Sequence, residues 1–256
     1  MLMSYNIQYY DAARLLDAWE VGRDLSPAGR ALSILRWGWP EAAPEDLAGL
    51  GIGARDKAIL TLYSRHFGAT LECLAVCPAC GESLELAFDA GEIGGGADLA
   101  ALVTSGHARP RRFECDGWSL TYRMPSAGDL AAIPPTSSLT EARRTLRDAC
   151  VVAVVDPCGE TVPTADAPAS LLSAWNDALS EAEPDSETRL DLTCPSCGHG
   201  FEPLFDAIAH AWAAVDVLAR RLLREVHRLA GAYGWSESEI LALSPVRRRC
   251  YLELLG

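Results

Sequence analysis

The sequence predicts an α+β chain, mainly helical, with a small strand-bearing middle. Three observations predict it. Apolar residues recur at helical spacing in the first seventy and the last fifty residues. Alternating runs occur only between residues 71 and 205. Two copies of the pattern C-P-x-C-G, Cys77–Gly81 and Cys194–Gly198, stand 113 residues apart between those helical ends.

The elements follow in order. Asp11 to Val21 places Ala12, Leu15, Leu16 and Trp19 on one helical face. Ser26-Pro27 is a cap followed by proline at the first helical position, and it opens a segment to about Trp37 that Gly38-Trp39-Pro40 stops. Pro44 starts a short helix ending at Gly51/Gly53. Arg55 to Phe67 repeats Ile59, Leu60, Tyr63 and Phe67 on one side, and Gly68 closes it. Leu71–Phe88 reads as strand, cysteine turn, strand. Residues 91–112 read as a loose connector with a short helix near Leu99–Val103. Asp116-Gly117 between two alternating runs is a hairpin signal of type I′. Ser126 to Ile133 reads as a short helix, and Thr140 to Val155 as a longer helix with an apolar end. Residues 156–168 read as a loop broken by Pro and Gly, Ala169–Ala182 as a helix, and Leu190–Thr193 as a strand entering the second cysteine pair. Asp206 to Tyr233 is a long helix ended by Gly234. Ser236-Glu-Ser-Glu239 is a capping box for a short helix, and Ser244-Pro245 opens the last one. The resulting division is 1–70 helical, 71–90 first cysteine half, 91–188 insert, 189–205 second cysteine half and 206–256 helical.

Composition narrows the function. The chain has 256 residues, 35 acidic against 22 basic, and a formal net charge of −13. Such acidity argues against a general binder of nucleic acid or anionic membranes, whose phosphates select positive surfaces. The longest strongly apolar run, Cys150–Val155, has six residues, far below the roughly 20 of a membrane-spanning helix. No secretory pattern of a positive segment followed by an apolar one is visible at the start, so a cytoplasmic location is expected. The nine cysteines are an odd number and fit reduced thiols in that compartment.

The two cysteine patterns form a longer repeat. At equal offsets Glu85 matches Glu202, Phe88 matches Phe205 and Asp89 matches Asp206. C-P-x-C-G suits a metal knuckle. Two thiolates must face one ion at about 2.3 Å, and two intervening residues let the chain turn that tightly. Proline sets one dihedral of the turn, and glycine accepts the conformation in which the chain leaves it. One knuckle supplies two ligands, so Cys77, Cys80, Cys194 and Cys197 are expected to complete one tetrahedral site for a single structural Zn²⁺ per chain, as a zinc ribbon interrupted by the insert. The other reading is two separate redox C-x-x-C pairs. Those usually sit where a strand meets a helix, whereas both pairs here are flanked by strand-like residues. Four cysteines close the shell and leave no position for water, so the site reads as structural rather than catalytic. His199 stands beside the second knuckle and reads either as an extra ligand or as an exposed turn residue. Cys73, Cys115, Cys150, Cys158 and Cys250 lack knuckle spacing and read as free thiols.

No phosphate-binding loop, nucleophile elbow, zinc-protease helix or dinucleotide fingerprint occurs in the sequence, and the five histidines, His107 among them, are scattered. Residues 206–256 differ from the rest in charge, with seven arginines against six acids. At about 100° per residue, Arg220, Arg221, Arg224 and Arg228 share one arc, while Leu218, Leu222, Leu223, Val226, Leu229 and Tyr233 fall on the other side. Arg247-Arg248-Arg249 adds a second cluster. This is either a solvated face or a docking surface for acidic groups. Trp235 reads either as an anchor on that surface or as a core residue locking the helix turn.

The run Leu222-Leu-Arg-Glu-Val226-His-Arg-Leu-Ala230, then Tyr233-Gly-Trp235-Ser236, Glu239-Ile240-Leu241, Leu243-Ser244, Arg247-Arg248 and Tyr251-Leu252 resembles the T-even-type phage baseplate hub assembly protein family. A longer bacterial version, with both knuckles and the Arg55-Asp56 helix, is similar over nearly the whole chain and is associated with phage-like contractile tail particles. The resemblance implies a non-catalytic assembly factor or chaperone for the baseplate hub of a contractile tail or injection system. Its partners would be hub or spike proteins, bound through Arg220, Arg221, Arg224, Arg228, Trp235, Arg247 and Arg248. The alternatives are a permanent baseplate component, a zinc-ribbon adaptor for nucleic acid or protein, and an enzyme with a dispersed site.

Overall fold

The computed structural model describes residues 11–106, 110–182 and 187–256; His107 and the first ten residues lie outside them. Helices dominate. The first half opens with α1 (Ala12–Gly22), α2 (Pro27–Gly38), α3 (Pro44–Gly49) and α4 (Ile52–Phe67), followed by the strand pair β1 (Thr70–Val76) and β2 (Ser83–Asp89) and by α5 (Leu99–Gly106). Local chemistry sets these boundaries. Asp11 accepts the Arg14 N–H at 3.1 Å, and the Ser26 hydroxyl accepts the Gly29 N–H at 3.2 Å ahead of Pro27. Gly53, expected to help end α3, instead lies in the first turn of α4, with Gly51 as the cap residue. Gly68 ends α4 with φ +105°, which a residue with a Cβ rarely adopts.

The insert builds a four-stranded antiparallel sheet. Its strands are β3 (Arg111–Cys115), β4 (Trp118–Tyr122), β5 (Val151–Val155) and β6 (Thr161–Val162), adjacent in that order. The β3–β4 turn has Asp116 at φ +50° and Gly117 at φ +79°, both positive as a type I′ hairpin requires. The helices of the insert are α6 (Ala127–Ala131), α7 (Leu139–Cys150) and α8 (Ala169–Ala182). The helix expected to run from Thr140 to Val155 therefore stops at Cys150, and Val151–Val155 is a strand. Four of its five residues are valine, whose branched Cβ favours the pleated sheet over the helix. The segment also supplies the partner that β4 needs, with Leu120 opposite Val154. Part of the expected 156–168 loop is β6, which closes the sheet on the other side.

This sheet packs Leu120, Tyr122 and Val154 against Leu171 and Trp175 of α8, with the Tyr122 and Trp175 rings edge to face at 5.5 Å. Its link to the rest of the chain runs through α6, whose Ala127 is buried in the large helical core. Ala127 N–H donates to the Leu50 carbonyl at 2.8 Å. Arg123 grips both carboxylate oxygens of Asp129, which also accepts from the Ser126 N–H and hydroxyl.

The last elements are the two-residue strands β7 (Leu192–Thr193) and β8 (Gly200–Phe201), then α9 (Ala207–Tyr233), α10 (Glu237–Leu241) and α11 (Pro245–Glu253). The first half of α9 shares one core with the N-terminal helices: Leu15, Leu35, Ile59, Leu62, Ala219 and Leu222 are all fully buried in it. Trp19 Nε1 donates to Asp216 at 2.8 Å. At Gly22 the helices touch so closely that an added Cβ would lie 2.4 Å from the Trp212 ring.

One buried group in that core titrates. His66, 9% exposed, packs against Trp37 at a ring distance of 4.6 Å with the rings tilted by 41°. Neither ring nitrogen has a hydrogen-bond partner. Burial, helped by the Arg65 charge, brings its pKa from 6.5 down to about 4. The folded protein thus holds His66 neutral where the unfolded chain protonates it. The stabilisation is full above pH 6.5 and is lost as the pH falls through 4. By linkage the loss should reach about 3 kcal/mol. Urea titrations between pH 7 and pH 4 should show this decline, and His66→Phe should flatten it.

Candidate metal centre

The two knuckles are built alike. In the first, Cys77 N–H donates to the Glu82 carbonyl at 2.8 Å and Gly81 N–H to the Cys77 carbonyl at 2.9 Å. In the second, Cys194 N–H donates to the His199 carbonyl at 2.9 Å and Gly198 N–H to the Cys194 carbonyl at 2.9 Å. Gly81 and Gly198 have φ of +77° and +74°. A non-glycine residue at either place would hold strained backbone, which explains the glycine after each second cysteine. The likeness extends past the turns. Asp89 and Asp206 each cap the helical turn that follows, accepting from Gly91 N–H at 2.7 Å and Ala209 N–H at 2.9 Å. Phe88 and Phe205 meet edge to face at 5.6 Å.

The fold brings the halves together. Cys77 Sγ lies 3.7 Å from Cys197 Sγ, and Cys80 Sγ lies 3.6 Å from Cys194 Sγ. All four sulfurs lie within 4.8 Å of one another. A tetrahedron with metal–sulfur bonds of about 2.3 Å has edges of about 3.8 Å, so the four sulfurs fit around a single ion. Four thiolates suit a borderline-soft ion and are consistent with zinc. Cys77 and Cys194 are buried, while Cys80 and Cys197 are exposed. His199 is exposed, its ring stacked near Phe201, and among the described residues the group of possible ligands is the four cysteines alone.

The thiols show why the arrangement calls for a cation. Burial opposes ionisation of Cys77, but the N–H groups of Cys80 and Ala79 and the neighbouring thiols outweigh it and bring that thiol down to about 7. The Glu82 N–H favours the Cys80 thiolate, yet the other three sulfurs and burial push it up to about 12. One thiolate is accommodated and a second is refused, because like charges at this spacing repel. A divalent ion removes that conflict. Burial raises the Cys73 thiol, and burial together with the Asp129 charge raises Cys150.

The expected arginine surface is largely spent within the chain. Arg220 pairs with Asp216 at 2.8 Å and Arg221 with Glu225 at 2.9 Å, each one turn away. Arg228 donates to the Gly256 carbonyl at 3.2 Å. Arg248 is 1% exposed and belongs to the interior rather than to a docking surface. Its Nε donates to Glu225 at 3.1 Å and its guanidinium also reaches the Leu243 carbonyl. Arg224 and Arg247 are exposed. Leu223 and Tyr233 are exposed as well, unlike the buried Leu218, Leu222, Val226 and Leu229. Trp235 is half-buried. It stacks on Tyr233 at 4.7 Å, meets Tyr251 edge to face at 4.9 Å, and covers the small core of Val226, Leu229 and Ile240. Among the described residues, no helix is long and apolar enough to cross a membrane.

Comparison with protein-family models, curated proteins and solved structures returned no match for this chain.

Two outcomes follow from these contacts. If the four cysteines hold zinc, Cys77→Ser should lower the melting temperature by about 10 °C or more, because it removes one of the two buried ligands. Cys158→Ser, at an exposed thiol outside the site, should leave it unchanged; thermal melts of the zinc-loaded proteins compare the two. Arg248→Ala leaves Glu225 with Arg221 as its remaining partner, frees the Leu243 carbonyl and opens a buried gap, and should cost about 3 kcal/mol. Faster amide exchange in α10 and α11, with α2 and α4 unaffected, would place the loss at the C-terminal end.

Proposed function

We propose that this chain is a non-catalytic assembly factor, a zinc ribbon interrupted by an inserted sheet, that helps build the baseplate hub of a phage-like contractile tail. The observation that carries the structural half is the closed group of four cysteines. Bound by all four, zinc has no open position for water or substrate, so it acts as a fastener. Cys77, Cys80, Cys194 and Cys197 would hold it, and its chemistry there is to bind four thiolates that repel one another without it.

The assembly half rests on the C-terminal residues whose pattern resembles the hub assembly family. Tyr233, Trp235, Ile240 and Tyr251 pack together at the end of the chain, so the most specific part of that pattern is one folded unit. Arg224, Arg247 and the open side of Trp235 are its outward-facing groups.

Co-expression with the hub and spike proteins of a phage-like tail tests the reading. The chain should co-purify with a hub component before assembly, carry one zinc, and be missing from finished particles. Its deletion should yield tails without a hub. A fixed copy number in finished particles would instead establish a permanent component. Retarded nucleic acid at low salt would establish an adaptor.

A further inference from the structure

A groove of about 390 Å³ runs between the two cysteine halves. One wall is β1, from Cys73 to Val76; the other is Leu190 with Pro203–Phe205, and Asp206 and His210 close the floor. Among the described residues, β1 is hydrogen-bonded to β2 alone. The register shows which backbone groups remain. Ala90 N–H donates to the Ala69 carbonyl and Cys77 N–H to the Glu82 carbonyl, so odd-numbered residues of β1 turn their polar backbone groups towards β2. Those of Glu72, Leu74 and Val76 point to the open edge.

That edge carries one of the usual protections, the exposed Glu72, and is otherwise apolar. Natural sheet edges carry charged side chains, prolines or bulges that discourage another strand. Here Leu74 and Val76 are 70% and 62% exposed, and Leu204 on the facing wall is 58% exposed. The surroundings select by charge. Residues 69–90 and 187–206 together contain eight acids and one base, Arg189. Their net charge of −7 is more than half of the chain's −13.

We propose that this groove binds an extended segment of another protein, with apolar and basic residues alternating, as an added strand on β1. Backbone groups of Glu72, Leu74 and Val76 pair with the incoming strand. Its apolar side chains meet Leu74, Val76 and Leu204, and its basic side chains face the acidic halves. A second copy of this chain is a poor occupant, because the edge it would bring is acidic too. The inference stands apart from the baseplate reading, since it names the chemistry of the partner segment and not its source.

The test uses the zinc-loaded full chain and fluorescein-labelled synthetic peptides. A peptide alternating valine and lysine should bind saturably, weaken with added salt, and shift the amide resonances of Glu72, Leu74 and Val76. Replacing its lysines with glutamate should weaken binding at least about tenfold. Leu74→Pro removes an outward N–H without touching the β1–β2 bonds, as edge positions permit, and should abolish binding. Leu204→Ser removes the apolar contact of the facing wall at an exposed site without changing its charge, and should weaken binding even if the proline variant fails to fold. Equal affinity for the lysine and glutamate peptides, undiminished binding by Leu204→Ser, or no saturable binding would overturn the proposal. So would a concentration-dependent dimer that Leu204→Ser dissolves, which would make the occupant a second copy.

Discussion

The meeting of four thiols decides how the middle of this chain is organised. Cys80 and Cys194 are 114 positions apart and Cys77 and Cys197 are 120, yet each pair lies within contact distance. Closing a loop of that length costs an unfolded chain about 5 kcal/mol of entropy by the relation used for covalent cross-links. The protein contacts there are few. The strands of the second half are two residues long, and the buried residues around the site are Cys77, Leu84 and Cys194. So small an apolar cluster contributes little to joining the two segments, and an ion bound by the four cysteines would fasten them directly.

The site is nevertheless not isolated from the large core. Rings continue from it into the helices. Phe88 touches Phe205, Phe205 lies 5.5 Å from His210, His210 lies 5.0 Å from Tyr63, and Tyr63 lies 5.3 Å from Phe67, beside Trp37 and His66. The equivalent phenylalanines of the two repeats thus do different work from the cysteines. The cysteines fasten the halves to each other, and the phenylalanines fasten both halves to α4 and α9.

Much of this was legible in the sequence, for reasons that can be named. The knuckles repeat in type and offset, so their joint purpose shows without a structure. Ser26-Pro27, Ser244-Pro245, Asp116-Gly117 and Gly234 each solve a local backbone problem and sit where that problem arises. What escaped depends on distant partners. Val151–Val155 is too short an apolar run to separate a helix end from a buried strand until β4 lies beside it. Arg248 reads as exposed because arginines usually are, and Glu225 is 23 positions away. The groove beside β1 needs Leu74 and Leu204 on facing walls, which no spacing rule connects.

The single run of α9 has a mechanical consequence. Its 27 residues form a rod about 40 Å long. Asp206, five residues after the end of β8, caps one end, and the Trp235 cluster is fixed to the other. A continuous hydrogen-bonded rod resists bending, so a load applied at the aromatic tip is carried to its root rather than absorbed along the way. The root is braced on one side by the buried helices and on the other by the segment that carries the cysteines. The chain is built as a cantilever whose footing is the large helical core, with the cysteine segment joined at its root.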